Sequence, residues 1–191
     1  MKEHLKIALR FTIVTTIIFG LLYPLSLTGF SLWLFPRQAN GSLLIKDGAI
    51  TGSTLIGQGF TADKYFHSRP SAAGAGYDAT ASSASNLGPT NKQLTDRVQA
   101  DVAKLQQENP NQLIPADLVT ASGSGLDPDI SPASAKFQIS RVARARSTTP
   151  GQVQSVVLDH LQKRQFGLFG EPRINVLELN LDLDAKFPIA H

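Results

Sequence analysis

Cysteine is missing from the 191 residues of the chain, and its absence excludes several kinds of stabilisation and chemistry. A protein without cysteine has no disulfide framework, no thiolate nucleophile and no zinc site with sulfur ligands. The stability of its folded part must therefore come from packing. The cysteine count does not indicate which redox compartment the protein occupies.

An excess of charge is also missing from most of the chain. The formal net charge is +3, but four of the 18 Lys and Arg residues flank one apolar run near the N-terminus: Lys2, Lys6, Arg10 and Arg37. Of the 15 Asp and Glu residues, Glu3 alone lies in that region, so the remainder of the chain is balanced. A basic surface is not predicted, and neither is a nucleic-acid partner.

Motifs of common enzymes are absent or incomplete. The sequence has no GxxxxGK[ST] loop for ATP, no HxxxH or HExxH pair for zinc and no GxSxG elbow for a serine nucleophile. Residues 57–62 match the loose dinucleotide pattern GxGxxA, but no helix that would bind the phosphate is predicted after them. Residues 127–138 begin like a calcium loop and then depart from it, with Pro132 and Gln138 in place of Gly and Glu. We predict no catalytic residue, no metal ligand and no directly bound cofactor.

A long uncharged run at residues 11–35 predicts one transmembrane helix. A helix that rises 1.5 Å per residue needs about 20 residues to cross the hydrocarbon of a bilayer. The run is longer than the core of a signal peptide, and no small-x-small cleavage site follows it. Four residues characterise this anchor: Phe11, Pro24, Trp33 and Phe35. Pro24 predicts a kink, and the last two resemble an interfacial aromatic belt.

The basic residues around the run predict its direction. Three of them precede it, whereas Arg37 and Lys46 follow, and the more basic flank of a single span stays in the cytoplasm. We therefore expect a short cytoplasmic N-terminus at 1–10, the span at 11–35, a linker at 36–41 and one extracytoplasmic domain at 42–191.

The fold class predicted for this domain is α+β, with a small, mostly antiparallel sheet and about three helices. Apolar runs at 43–45 and 54–56, on either side of turn residues 46–48, predict a hairpin or a small sheet edge. Residues 68–89 are rich in Ser, Ala, Gly and Pro and predict a long loop. Apolar and polar residues alternate through most of 174–184, which predicts a half-buried strand.

Three helices are predicted from capping residues and apolar spacing. Their caps are Asn91, Ser131 and Thr149, and proline follows each of the last two. The first helix is expected to end before Pro110 and the third near Gly167. The second carries three arginines that are expected largely opposite its apolar face: Arg141, Arg144 and Arg146.

A series of uncommon strings occurs in order across most of the chain. They are 33–42 (WLFPRQANGS), 52–58 (GSTLIGQ), 65–72 (YFHSRPSA), 85–91 (SNLGPTN), 115–134 (PADLVTASGSGLDPDISPAS), 141–146 (RVARAR) and 175–181 (NVLELNL). Together they resemble the C subunit of the Kdp high-affinity potassium-transporting ATPase. Members of that family are subunits of a complex in the bacterial inner membrane.

The resemblance implies that the chain is a non-catalytic accessory subunit. Its partners would be a channel-like subunit that binds potassium and a P-type ATPase subunit that hydrolyses ATP, in a lipid bilayer. The family's C subunit is described as an assembly factor and a catalytic chaperone that raises the ATP affinity of the pump subunit. ATP and potassium would be used by the complex. Because an extracytoplasmic domain does not reach cytoplasmic ATP, we expect any effect on ATP affinity to be indirect.

Polar loops are expected to dock on the extracytoplasmic mouth of the potassium-binding subunit. These loops are residues 65–72 and 123–131. The candidate docking residues are Gln58, Tyr65, His67, Arg69, Asn86, Asp127 and Asp129. Several of them also have an ordinary interpretation as hydrogen-bonding groups that hold loops together. The alternative function is that of a membrane-tethered periplasmic hydrolase or a ligand-binding module.

Ser124→Cys tests the predicted direction of the span, because the chain has no other thiol. We expect a membrane-impermeant maleimide added to intact cells to label this cysteine. Labelling only after the cells are broken open would contradict the extracytoplasmic placement.

Overall fold

The computed structural model describes residues 1–46 and 48–189. Its backbone divides into two compact units, Met1–Ser53 and Thr54–His191. The predicted soluble domain began at residue 42, and the structure groups residues 42–53 with the N-terminal helix in the first unit. The hydrophobic core lies in the second unit.

The N-terminal helix runs without a break from Lys2 to Leu34 and contains most of the predicted span at 11–35. It consists of α1 (Lys2–Thr15), a π-helical segment (Thr16–Leu22) and α2 (Tyr23–Leu34). None of its residues is buried within the chain. Among the described residues it is the one helix that is long and apolar enough to cross a membrane.

Pro24 lies in the first turn of α2, directly after the π-helical segment. Proline has no N–H, and its ring clashes with the carbonyl four residues earlier, which here belongs to Gly20. A π-helical turn directs hydrogen bonds to the carbonyl five residues earlier and so accommodates this misfit. A change of helix type therefore precedes the proline at which a kink was predicted.

A short helix and a hairpin complete the first unit. Helix α3 (Pro36–Ala39) occupies most of the predicted linker, and strands β1 (Leu43–Lys46) and β2 (Ala49–Ser53) pair antiparallel. The hairpin is confirmed, but its second strand is not the apolar run 54–56. Because Lys46 already pairs with Ala49, the second strand starts directly after the turn. Asp47 of that turn lies outside the described residues.

The second unit is α+β, as predicted. Its helices are α4 (Lys92–Glu108), a 3-10 turn (Ala116–Leu118), α5 (Pro132–Ala145), α6 (Pro150–Asp159) and α7 (Val176–Lys186). Its strands are β3 (Asp129–Ile130), β4 (Leu161–Gln162) and β5 (Arg173–Asn175). They form one antiparallel sheet in the order β3, β5, β4. Residues 54–91 form neither helix nor strand, which confirms the long loop at 68–89.

The three predicted helix starts are confirmed by hydrogen bonds. The Asn91 side chain accepts from the N–H of Gln93 at 2.8 Å, and the Ser131 hydroxyl accepts from that of Ser134 at 3.1 Å. Thr149 forms a reciprocal capping box with Gln152. The predicted end of the third helix near Gly167 is wrong. Helix α6 ends at Asp159, because Leu161 pairs with Ile174 in the sheet.

The half-buried strand predicted at 174–184 is wrong beyond its first residues. The chain continues from β5 directly into α7, where the Asn175 side chain caps the N–H of Glu178 at 3.1 Å. Leucine is a strong helix former. The leucines occupy positions 177, 179, 181 and 183. In a helix, two of them share a face with Val176 and Asn180, so that residues 176, 179, 180 and 183 lie together, and all four are buried. The second unit therefore has four α-helices among its described residues rather than about three.

The core of the second unit lies between α5, α6, α7 and the sheet. Its fully buried members include Val142, Val153, Ile174, Leu179 and Leu183. Phe66, from the long loop, is also fully buried in this cluster. A loop that enters a core carries backbone polar groups with it, and these groups need hydrogen-bond partners.

Two buried side-chain amides provide those partners. Asn180 accepts from the N–H of Phe66 at 2.8 Å and donates to its carbonyl at 3.0 Å. Gln138 does the same for His67, at 2.8 Å and 3.1 Å. Both amides are about 1% exposed. They supply the two hydrogen bonds per residue that a neighbouring strand would otherwise supply.

Asn180→Ala should therefore destabilise the protein strongly. The change leaves a buried N–H and a buried C=O without partners, at about 1–3 kcal/mol each, so we expect a loss of about 2–6 kcal/mol. Asn91→Ala, which removes an exposed helix cap, should cost about 1 kcal/mol and serves as the control. Thermal unfolding of the full chain in detergent measures both. Equal losses in the two variants would contradict this account of the Asn180 amide.

Candidate partner-docking site

Three of the seven candidate docking residues lie together. Arg69, Asp127 and Asp129 line one surface cleft, with a cavity of about 510 Å³. Its wall also includes Asp117, Thr120, Ser131, Glu171 and Arg173. The cleft therefore contains charges of both signs and belongs entirely to the second unit.

Arg69 and Asp127 join the two predicted docking loops. The guanidinium of Arg69 donates to the Asp127 carboxylate at 2.9 Å and also to the carbonyl of Thr120. About a quarter of each charged side chain is exposed. The Tyr77 hydroxyl donates to the carbonyl of Arg69. The loops at 65–72 and 123–131, distant in sequence, are thus in contact.

Gly57 has a packing role beside this cleft. Its N–H donates to the carbonyl of Leu126 at 2.8 Å, and a Cβ at this position would lie 2.5 Å from the carbonyl oxygen of Asp127. Only glycine permits so close an approach of two backbones. The GxGxxA pattern at 57–62 is therefore explained by packing of the loop.

Asp127 lies in the turn that leads into β3, and Asp129 is the first residue of that strand. One Asp127 oxygen accepts from the N–H of Asp129 at 3.1 Å, and Asp129 pairs with Arg173 at 3.0 Å. Burial raises the pKa of Asp129 above its usual range. The nearby charges of Asp127 and Glu178 raise this pKa further, and Arg173 opposes the shift. The Asp127 carboxylate therefore stabilises the turn before β3, and the Asp129 carboxylate links β3 to the neighbouring strand β5.

Asp117 and Arg173 were missed by the sequence analysis. Asp117 accepts from the Ser131 N–H at 2.8 Å and from the hydroxyls of Ser131 and Ser134, at the start of α5. Arg173 lies in β5 and reaches the cleft through Asp129. No local spacing connects these residues, because their contacts span from 14 to 44 positions of the chain. They become apparent only in the folded structure.

Tyr65 lies in a different cluster. Its hydroxyl donates to Asp184 at 3.0 Å, and its ring lies 5.3 Å from the guanidinium carbon of Arg146 and 5.2 Å from the Phe60 ring centroid. Burial and the Asp184 carboxylate raise the pKa of Tyr65. Arg146 is buried rather than opposite the apolar face, which corrects the prediction. The reason is that its guanidinium donates to Asp184 and to several carbonyls.

His67 is a loop histidine with a local hydrogen bond, as its ordinary interpretation predicted. Its Nε2 lies 3.2 Å from the carbonyl of Ala62 and donates to it. Burial, and then the positive charge of Arg141, lowers the pKa of His67 to about 4. The ring is therefore neutral at neutral pH. It lines a smaller cavity of about 200 Å³, apart from the cleft.

Gln58 and Asn86 also lie outside the cleft lining. Gln58 is half-buried, and its carbonyl accepts from the Ser68 hydroxyl at 3.3 Å. Asn86 is exposed, with a φ of 52° that asparagine tolerates better than most residues. Within the described part of the chain, no group of three or more His, Asp or Glu side chains is placed to hold a metal ion.

The neutral state of His67 predicts a pH-dependent stability. Its pKa is lower in the folded than in the unfolded chain. The neutral ring therefore contributes fully to the free energy of unfolding above pH 6.5, and this contribution is lost as the pH falls from 6.5 to about 4. His67→Gln should reduce the slope of the unfolding free energy plotted against pH between about pH 4 and 6.5. The same change at His160 tests whether the effect is local to His67. An unchanged slope in His67→Gln would contradict the assignment.

Comparison with known proteins gives matches over nearly the whole chain. The sequence model of the family described as "KdpC: K+-transporting ATPase, c chain" matches residues 5–185. A Koribacter versatilis protein named "Potassium-transporting ATPase KdpC subunit" is 51% identical, covering 99% of this chain and 98% of its own length. Proteins of the same name from Rhodopseudomonas palustris and Rhodospirillum rubrum are 54% and 50% identical. They cover 97% and 100% of this chain and 98% and 100% of their own.

Proposed function

The chain belongs to the KdpC family of K+-transporting ATPase c chains, and from this we propose that it is a non-catalytic accessory subunit that assembles with a potassium-binding subunit and a P-type ATPase subunit. The relatives match it from end to end, including the apolar helix. That helix is proposed to anchor the chain in a bacterial inner membrane, with the second unit outside the cytoplasm. The basic residues before the helix support this direction.

The cleft between the two polar loops is the observation that carries the docking proposal. It presents Arg69, Asp127 and Arg173 as partly exposed charges, and residues of β3, β5 and the start of α5 also line it. Charged groups of both signs suit a partner with a complementary polar surface, and they give orientation more than affinity. We propose that this cleft meets the extracytoplasmic face of the potassium-binding subunit.

An indirect effect on ATP affinity is the second part of the proposal. The GxxxxGK[ST] motif of ATP-binding loops does not occur in the sequence. With the second unit on the opposite side of the membrane from cytoplasmic ATP, the chain would act by favouring one conformation of its partners. The chaperone activity is then a coupling between two distant binding events.

Arg69→Ala and Asp127→Ala test the docking surface. Each change removes one charge of the cleft, and we expect a loss of about 1–2 kcal/mol of association free energy, or about five- to thirty-fold. Co-purification of the tagged chain with its partner subunits from a detergent extract measures this. Arg97→Ala and Asp101→Ala break an ion pair of similar exposure on α4 and should leave assembly unchanged.

The same preparations test the indirect effect on ATP. A complex that assembles poorly should show a higher KM for ATP. An excess of the added variant chain should bring this KM back to the wild-type value. If the two cleft variants assemble and transport potassium like wild type, the proposed docking surface is wrong. If the chain alone binds ATP, the indirect mechanism is wrong.

A further inference from the structure

Residues 163–171 form a short closed hairpin, here called the apolar finger. Gln165 and Phe169 exchange both backbone hydrogen bonds, at 2.9 and 3.0 Å, around a three-residue loop. The Arg164 guanidinium binds both oxygens of Glu171 across the base, at 2.7 and 2.6 Å. The finger therefore has a defined shape although it lies outside the core.

The tip of the finger is apolar and exposed. Phe166, Leu168 and Phe169 are 84%, 74% and 66% exposed. Elsewhere in the second unit, Leu55 and Ile56 are the other neighbouring pair of exposed large apolar residues among those described, at 63% and 38%, whereas Leu113 and Leu158 stand alone. Isolated exposed apolar residues are normal in proteins, whereas three within four positions indicate a surface that is covered in use.

The backbone at Phe166 gives an independent indication. Its φ is +54°, in the left-handed region that bulky residues rarely adopt, and Gly167 beside it has a φ of +74°. Glycine or asparagine would fit position 166 with less strain. A strained aromatic residue at an exposed tip is explained if its side chain makes a contact outside the chain.

We propose that the apolar finger inserts into the surface of the lipid bilayer in which the chain's own N-terminal helix is anchored. The tip has the Phe and Leu side chains that interfacial membrane segments bury at the boundary of the acyl chains. In the arm before it, Lys163 leaves one positive charge in excess, because Arg164 pairs with Glu171 and Arg173 pairs with Asp129. That excess of positive charge suits anionic headgroups.

Covalent attachment to the anchor makes so small a contact sufficient. A single weak insertion holds a free protein at a membrane only marginally. In this chain the helix already provides the first attachment, so the insertion of the finger takes place at a high effective concentration. The convex shape of the finger also suits a fluid surface, which needs no preformed pocket. The inference depends on anchoring and does not require docking at the cleft, although Glu171 at the base of the finger also lines that cleft.

Tryptophan fluorescence of the full chain tests the inference. Trp33→Phe removes the one native tryptophan, and Phe166→Trp places a new one at the tip. The protein is reconstituted without partners in vesicles of phosphatidylcholine and phosphatidylglycerol, with or without bromine on the acyl chains. We expect bromine to reduce the emission of the new tryptophan. Its emission maximum should lie at shorter wavelength than that of a tryptophan exposed to water.

Leu113→Trp in the same background is the matched control, because Leu113 is 96% exposed in a segment without basic residues. Its emission should be insensitive to brominated lipid. Lys163→Glu should weaken the quenching of the tip tryptophan in anionic vesicles. Equal quenching at positions 166 and 113, or none at 166, would overturn the inference. The tip tryptophan could instead be shielded from water only in the assembled complex and show no quenching by brominated lipid. That result would assign the finger to an apolar pocket of a partner subunit.

Discussion

The pairing of two buried amides with the backbone at 66–67 is the constraint on which the second unit depends. The long loop places Phe66 in the core, and Asn180 of α7 and Gln138 of α5 satisfy the backbone on either side of that ring. The loop is thereby fixed to two helices that come from distant parts of the chain. Arg69 lies two residues after His67, so the position of the cleft charge follows from the same contacts.

Arginines complete the attachment of this loop. Arg141 donates to the carbonyls of Asp63 and Tyr65, and Arg146 donates to that of Lys64. Both side chains are largely buried, and both are also paired with carboxylates. A buried charge is tolerated when it is both paired and hydrogen-bonded. The RVARAR string therefore acts within the fold, by holding a loop that has no strand partner.

The parts of the fold that were predicted correctly depend on local chemistry. The caps at Asn91, Ser131 and Thr149 are defined within three residues of sequence, and the structure contains all three. Helix α7 was mistaken for a strand because alternating leucines fit both periods, and the cap at Asn175 decides between them. In the cleft, Arg69 and Asp127 were among the predicted residues. Their contact spans 58 positions, and no pattern in the sequence predicts such a pairing.

Several weak contacts are sufficient for an accessory subunit of this kind. A partly exposed ion pair contributes little by itself, and so does one apolar tip at a bilayer. With the N-terminal helix as the proposed anchor, both the proposed cleft contact and the proposed insertion of the finger would require little affinity of their own. The proposed coupling between this chain and ATP must also obey a thermodynamic condition. If the chain raises the ATP affinity of its partner by some factor, bound ATP must tighten the association of the chain by the same factor, because linked binding equilibria are reciprocal. An accessory chain that is held weakly by local contacts is well placed to respond to that change, because a tightly bound one would stay associated whether or not ATP is present.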